Sequence, residues 1–159
     1  MDHKDHDEQA RSPDVLVRCS QDPDLLIRLS NRQFIDSDET VFSIEAKADG
    51  LRAAIPDVTV AIWDGAGDLA AFLQQLADDF RGWPGKRTWH TNQLTLEADF
   101  HSGGHVELTW KLRPWSSRQA AWETSITTWI EGGHQLTALA SDVQAFLARP
   151  RNPCSFGGT

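Results

Sequence analysis

The sequence predicts an α+β fold, in which a twisted antiparallel sheet of about six to seven strands carries two amphipathic helices packed on one face. Several short runs alternate apolar and polar residues, and residues typical of tight turns separate these runs. Two longer stretches instead space their apolar residues as on one side of a helix. Because each helical stretch follows a series of short strands, we expect sequential strands to pair antiparallel.

Three alternating runs precede the first helical stretch, at residues 25–29, 42–48 and 58–62. The Asp-Gly pair at 49–50 predicts a tight hairpin turn after the second run. Pro56 has no backbone N–H to donate to a neighbouring strand, so it predicts a bulge or a break before the third run.

Three more runs lie between the two helical stretches, at residues 94–100, 106–112 and 122–130. Gly103 and Gly104 predict a hairpin turn between the first two of them. This hairpin would have one apolar face and one charged face.

Each helical stretch carries an apolar stripe. The first stripe consists of Leu69, Phe72, Leu73, Leu76 and Phe80. The second consists of Leu136, Leu139, Val143, Phe146 and Leu147. Asp68 is predicted to cap the start of the first helix and Gly82 to follow its end, while Pro150 would end the second helix.

The chain is expected to form one domain, because 159 residues suffice for one sizeable core. This single α+β domain would span residues 15–149. Residues 1–14 are predicted to be a disordered acidic tail, and their beginning resembles part of an acidic epitope tag. Residues 150–159 contain two Pro and two Gly, which predicts a loose C-terminal tail.

The net charge is −8, of which the tail contributes about −3 and the domain about −5. An acidic domain argues against nucleic-acid binding, which needs a basic face. There is no long apolar run and no apolar leader, so we expect a cytoplasmic protein without a membrane span. Cys19 and Cys154 are too far apart in the chain to suggest a disulfide framework or a metal knuckle.

A glycine-rich segment with the pattern G-x-G-x-x-A occupies residues 65–70. In a dinucleotide-binding loop the pyrophosphate would lie here, but Asp64 and Asp68 place negative charge at that position. A simple glycine turn is therefore favoured. The sequence also lacks G-x-S-x-G, H-E-x-x-H, Walker A and C-x-x-C motifs, which disfavours an enzyme, although dispersed catalytic residues would leave no such motif.

His101 and His105 flank the predicted turn at Gly103 and are candidate metal ligands. Asp99 or Glu107 could join them, since alternation places all four side chains on the polar face. A zinc site needs three or four converging ligands, whereas residues at a hairpin end are usually solvated. No cofactor is expected.

The polar face of the later strands carries the candidate binding residues. They are Glu97, Asp99, Glu107, Arg113 and Glu123, with Trp63 and Trp129 as aromatic candidates. In an open sheet this face is solvated, whereas in a curled sheet it would line a cavity in which paired carboxylates perform acid–base chemistry. Exposed Trp side chains would instead mark a contact patch.

Three segments carry a family resemblance: residues 71–83 (AFLQQLADDFRGW), 87–89 (RTW) and 133–136 (GHQL). Together they resemble an uncharacterised, mainly actinobacterial domain-of-unknown-function family, number six-two-two-eight, over residues 15–148. In layout the chain is also similar to the immunity proteins that accompany WapI-type contact-dependent toxins. The first resemblance implies the fold and supplies no catalytic residues, and the second implies an immunity role by analogy of folds.

We therefore expect a protein-binding module, immunity-like or antitoxin-like, whose acidic surface binds a basic protein partner. The alternative is a small-molecule binder or small enzyme that uses the polar sheet face as a cavity. A third hypothesis is assembly into a homodimer through exposed Trp side chains.

Overall fold

The computed structural model describes residues 14–61, 69–114 and 122–148. These residues form two four-stranded antiparallel sheets and two helices. Within each sheet the strands lie side by side in chain order, as is usual for sequential antiparallel strands.

The first sheet consists of β1 (Val15–Arg18), β2 (Leu26–Phe34), β3 (Glu39–Ala48) and β4 (Leu51–Ala61). The second sheet consists of β5 (Lys86–His90), β6 (Leu94–His101), β7 (His105–Leu112) and β8 (Thr124–Glu131). Helix α1 (Leu69–Asp78) follows the first sheet, and helix α2 (His134–Leu147) follows the second. The two helices pack against each other. Neither is long and apolar enough to cross a membrane.

The prediction of an α+β fold with antiparallel strands and two helices is confirmed, but the prediction of one sheet of six to seven strands is not matched. The described residues form eight strands in two sheets, and the alternation pattern missed the short strands β1 and β5. The sheets meet beyond the end of β1, where Ser20 N–H donates to Trp129 O at 2.8 Å and Trp129 N–H donates to Cys19 Sγ at 3.3 Å. A second hydrogen bond between the two halves links β4 to the residue before β6: Thr59 N–H donates to Gln93 Oε1 at 3.3 Å.

The turn signals are placed as the sequence predicts. Gly50 has φ +77° between β3 and β4, and the β6–β7 turn uses two further glycines with positive φ. The register slips by one residue beside Pro56, since Phe42 faces Val58 while Ile44 faces Ile55. This slip is a β-bulge, so the proline bends β4 without ending it.

One apolar core lies between the inward faces of the sheets and the helices. On the side of the first sheet, Phe42 meets Phe146 of α2 edge to face, with ring centroids 5.8 Å apart. On the side of the second sheet, the indole N–H of Trp110 donates to Thr128 Oγ1 at 2.9 Å, which satisfies a fully buried polar group.

The first helix ends earlier than its stripe predicts. Helix α1 ends at Asp78, and Phe80 is 58% exposed, so its place on the buried stripe was wrong. Gly82 does mark the exit: it has φ +112°, its N–H donates to Asp79 O at 2.8 Å, and a Cβ there would lie 2.9 Å from the ring of Phe100. The predicted cap Asp68, most of the glycine-rich segment and Pro150 lie outside the described residues.

Candidate functional site

The outward face of the second sheet gathers several of the predicted site residues into one row across its four strands. Lys86 lies beside Asp99, Asp99 beside Glu107, and Glu107 beside Trp129. We call these four residues the acidic row. They share a face because side chains alternate along a strand and the inward positions are taken by apolar residues.

Asp99 and Glu107 lie directly opposite each other, an arrangement in which like charges repel. Their side chains are 30% and 29% exposed. Compensation is partial: Lys86 Nζ lies 4.0 Å from Asp99 Oδ2, and His101 Nε2 hydrogen-bonds to Glu107 Oε2 at 3.0 Å. The two negative charges are therefore only partly compensated by these neighbours.

Trp129 ends the row with an aromatic surface. Its ring packs against His101 with centroids 4.8 Å apart and planes inclined by 44°. Its backbone is held by Ser20 and Cys19 at the junction of the two sheets. The half-buried indole is thus fixed directly beside Glu107, and Asp99 lies on the next strand beyond Glu107.

Glu97 has a different role from its neighbours. Its carboxylate lies 2.7 Å from Lys111 Nζ and 2.9 Å from Lys86 Nζ, and its side chain is only 14% exposed. The hydrogen bonds from Lys111 and Lys86 lower the pKa of Glu97, and the bond to Glu97 in turn raises the pKa of Lys86. The negative charge of Glu97 is therefore already balanced by Lys86 and Lys111 within the sheet.

Arg113 and Glu123 lie away from the acidic row. Arg113 follows the end of β7, six residues or about 20 Å along the strand from Glu107, and its Nε donates to Asn92 O at 3.2 Å. Glu123 is exposed just before β8. The four predicted cavity residues, which are Glu97, Glu107, Arg113 and Glu123, are thus spread along the sheet. Trp63 lies outside the described residues.

The two histidines of the candidate metal site are opposite each other at the β6–β7 turn, in the register His101 to His105. Glu107 contacts His101. Within residues 14–61, 69–114 and 122–148, no group of three or more His, Cys, Asp or Glu side chains is arranged to hold a metal ion.

Sequence reasoning missed a basic area on the outward face of the first sheet. Two adjacent rows make it up, and we call them the basic rows. They are Arg18–Leu26–Lys47–Arg52 and Leu16–Arg28–Glu45–Ala54. Lys47 lies directly opposite Arg52, which forms an exposed ion pair of 3.3 Å with Glu45. The sequence contains this information, because these residues occupy the outward positions in the alternating pattern of their strands. The negative total charge of the chain conceals it.

Two of the three segments that carry the family resemblance, residues 71–83 and 87–89, build the link between α1 and the second sheet. Arg87 Nη1 lies 2.6 Å from Asp79 Oδ2, and its guanidinium stacks over the Trp83 ring at 4.8 Å. The Trp83 indole N–H donates to Ala98 O at 3.4 Å. These residues therefore have a structural role: they hold the segment after α1 against β5 and β6.

Comparisons with curated proteins and with solved structures found no match. A family model does match, and it covers residues 18–150, which include both helices and all strands except most of β1. The chain belongs to DUF6228, a family of unknown function.

Proposed function

We propose that this domain is a protein-binding module that holds a basic segment of a partner protein on the acidic row. The observation that carries the proposal is the pair of opposed, partly exposed carboxylates Asp99 and Glu107 beside the fixed ring of Trp129. The proposal includes a cytoplasmic setting and an immunity-like or antitoxin-like role, in which the domain masks a basic surface of a toxin.

The energetics favour a cationic ligand at this place. An Arg side chain set between Asp99 and Glu107 would relieve their mutual repulsion and could pair with both carboxylates. The adjacent Trp129 offers a π face to the same cation. Trp and Arg are the residues that most often dominate binding energy at protein interfaces.

A cavity that performs acid–base chemistry has less support. Glu97 is paired with two lysines, and Arg113 lies about 20 Å along β7 from Glu107. We therefore keep the binding module as the proposed function.

The test starts with affinity capture from the native host, identification of the captured protein and its purification. Binding is then measured by calorimetry at several salt concentrations. The variant Asp99→Asn/Glu107→Gln should bind the purified partner at least about tenfold more weakly and with a flatter salt dependence.

The matched control is Asp38→Asn/Asp49→Asn, which removes the same charge from exposed turns of the first sheet. It should bind like the unchanged protein. Equal binding by both double variants would show that the acidic row is not the binding surface.

A further inference from the structure

Among the strands that the structure describes, β1 pairs only with β2, and the hydrogen bonds beyond β1 fix which of its backbone groups point outward. Cys19 N–H donates to Leu25 O, so Cys19 faces β2. Ser20 N–H donates to Trp129 O, away from β2. Because this direction alternates along an antiparallel strand, the backbone N–H and C=O groups of Leu16 and Arg18 point away from β2 toward the open edge.

A groove runs along this edge and keeps it open. It has a volume of about 210 Å³ and lies between β1 and the first half of α2. Its walls include Leu16, Val17, Arg18, Ile130, Leu139 and Asp142. Leu16 is 41% exposed on the outward side of this edge. An edge that combines free backbone groups with an exposed Leu is a template for a further strand.

The side chains of residues 14–18 define the strand that would fit. Asp14 and Arg18 lie at the two ends, with Val15, Leu16 and Val17 between them. The best antiparallel neighbour therefore places an acid opposite Arg18, apolar residues in the centre and a base opposite Asp14. Residues 14–18 themselves have this pattern when read in the opposite direction.

We propose that this edge binds a second copy of the chain, with the two β1 strands antiparallel about a twofold axis at Leu16. Leu16 then faces the second copy's Leu16, and Asp14 faces the second copy's Arg18 on both sides. The outward backbone groups match, because residues 14, 16 and 18 all lie at hydrogen-bonding positions of such a ladder. This surface is distinct from the acidic row, so the inference does not depend on the proposed function.

The contact is short and self-limiting. Ser20 N–H is already bonded to Trp129 O, which ends the free edge after Arg18. Five residues per copy bury far less than the roughly 800 Å² per partner of a stable interface, so association should be weak and reversible. Sedimentation equilibrium up to millimolar concentration is the appropriate measurement.

The decisive experiment uses charge reversal in trans. The Asp14→Arg variant carries two cations on its β1 edge, and the Arg18→Asp variant carries two carboxylates on the same edge. Copies of either variant should therefore repel one another. When the two are mixed, both end pairs become attractive. We expect the mixed dimer to form with at least about tenfold lower Kd than either variant alone.

Two further variants separate this pairing from misfolding and from general charge effects. Leu16→Pro removes the Leu side chain and the N–H that points to the open edge, but no N–H that bonds β2, so it should abolish association while the circular-dichroism melt stays cooperative. Lys47→Asp reverses a charge on the same face two strands away and should associate like the unchanged chain. A mixture of the charge variants that sediments as its separate components, or a Leu16→Pro chain that associates normally, would overturn the proposal.

Discussion

On the outward face of the first sheet Lys47 lies opposite Arg52, whereas on the outward face of the second sheet Asp99 lies opposite Glu107. Both sheets have the same topology and the same alternation of inward and outward side chains. The first sheet nevertheless pairs two positive side chains, whereas the second pairs two negative ones. A total charge of −8 averages over this segregation. Charge has to be assigned face by face before it says anything about a partner.

The inward faces differ in a second way. The described inward residues of β1–β4 are mostly aliphatic, together with Phe42 and Thr40, and Arg32 of β2 donates from Nη1 to Phe146 O of α2 at 2.8 Å. The second sheet instead buries Trp89 and Trp110, and Trp83 is buried just before β5. The indole N–H groups of Trp83 and Trp110 donate to Ala98 O and Thr128 Oγ1 respectively, while Trp89 Nε1 has no hydrogen-bond partner among the described residues. The first sheet therefore combines aliphatic packing with the hydrogen bond from Arg32 to α2, while the second adds indole N–H hydrogen bonds to its packing.

The largest expected effect tests whether the two inward faces act as one core. Phe42→Ala and Trp110→Ala should each lower the free energy of unfolding by about 3–5 kcal/mol, since both side chains are fully buried. Because the core is one cluster, urea unfolding followed by circular dichroism should stay a single transition in both variants. A two-step transition would show that the sheets unfold separately.

The next effect tests the buried hydrogen bonds of the second sheet. Thr128→Val removes the acceptor of the Trp110 indole N–H and should cost about 1–3 kcal/mol, because the donor is left unsatisfied at full burial. Thr128→Ser keeps the hydroxyl and serves as the control. If the two variants unfold at the same urea concentration, the hydrogen bond contributes little.

A smaller effect concerns the ion pairs of the second sheet. Glu97→Gln should cost about 1 kcal/mol or less at neutral pH, as is usual for pairs near the surface. The pKa of Glu97 is lowered in the folded chain, so its contribution is present above the unfolded value of about 4.3 and is lost as pH falls through the folded value. Urea midpoints measured from pH 7 downward should therefore converge for the variant and the unchanged protein.

The smallest effect tests the repulsion in the basic rows. Lys47→Glu turns the like-charged pair with Arg52 into an opposite-charged pair and should stabilise the fold by about 0.2–1 kcal/mol at low salt. Lys47→Gln should give about half of the gain. A loss of stability in Lys47→Glu would mean that Lys47 has a favourable contact on this face.

The sequence predicted what depends on local pattern. Long alternating runs such as β3 and β7 were recognised, and the turn at Gly50 was placed correctly. The strands β1 and β5 were missed because VLVR begins with three consecutive apolar residues and KRTWH contains only one, so neither alternates clearly. Phe80 was misplaced because the helical stripe continues in sequence after the helix has ended at Asp78.

The division into two sheets could not be predicted in the same way. It depends on which strand edges meet across the fold, such as the contact of Ser20 with Trp129 more than one hundred residues later. The acidic row shows the same limit: alternation predicted that Asp99, Glu107 and Trp129 share a face, but only the register places them side by side. Arg113 and Glu123 share the polar pattern and lie elsewhere.

The hydrogen bond from Trp129 N–H to Cys19 Sγ gives the protein a built-in kinetic reporter. The thiol is buried at the seam between the two sheets, and a maleimide can reach it only when that seam opens. In a chain carrying Cys154→Ser, the labelling rate of Cys19 would therefore measure how often the two halves of the molecule part and rejoin.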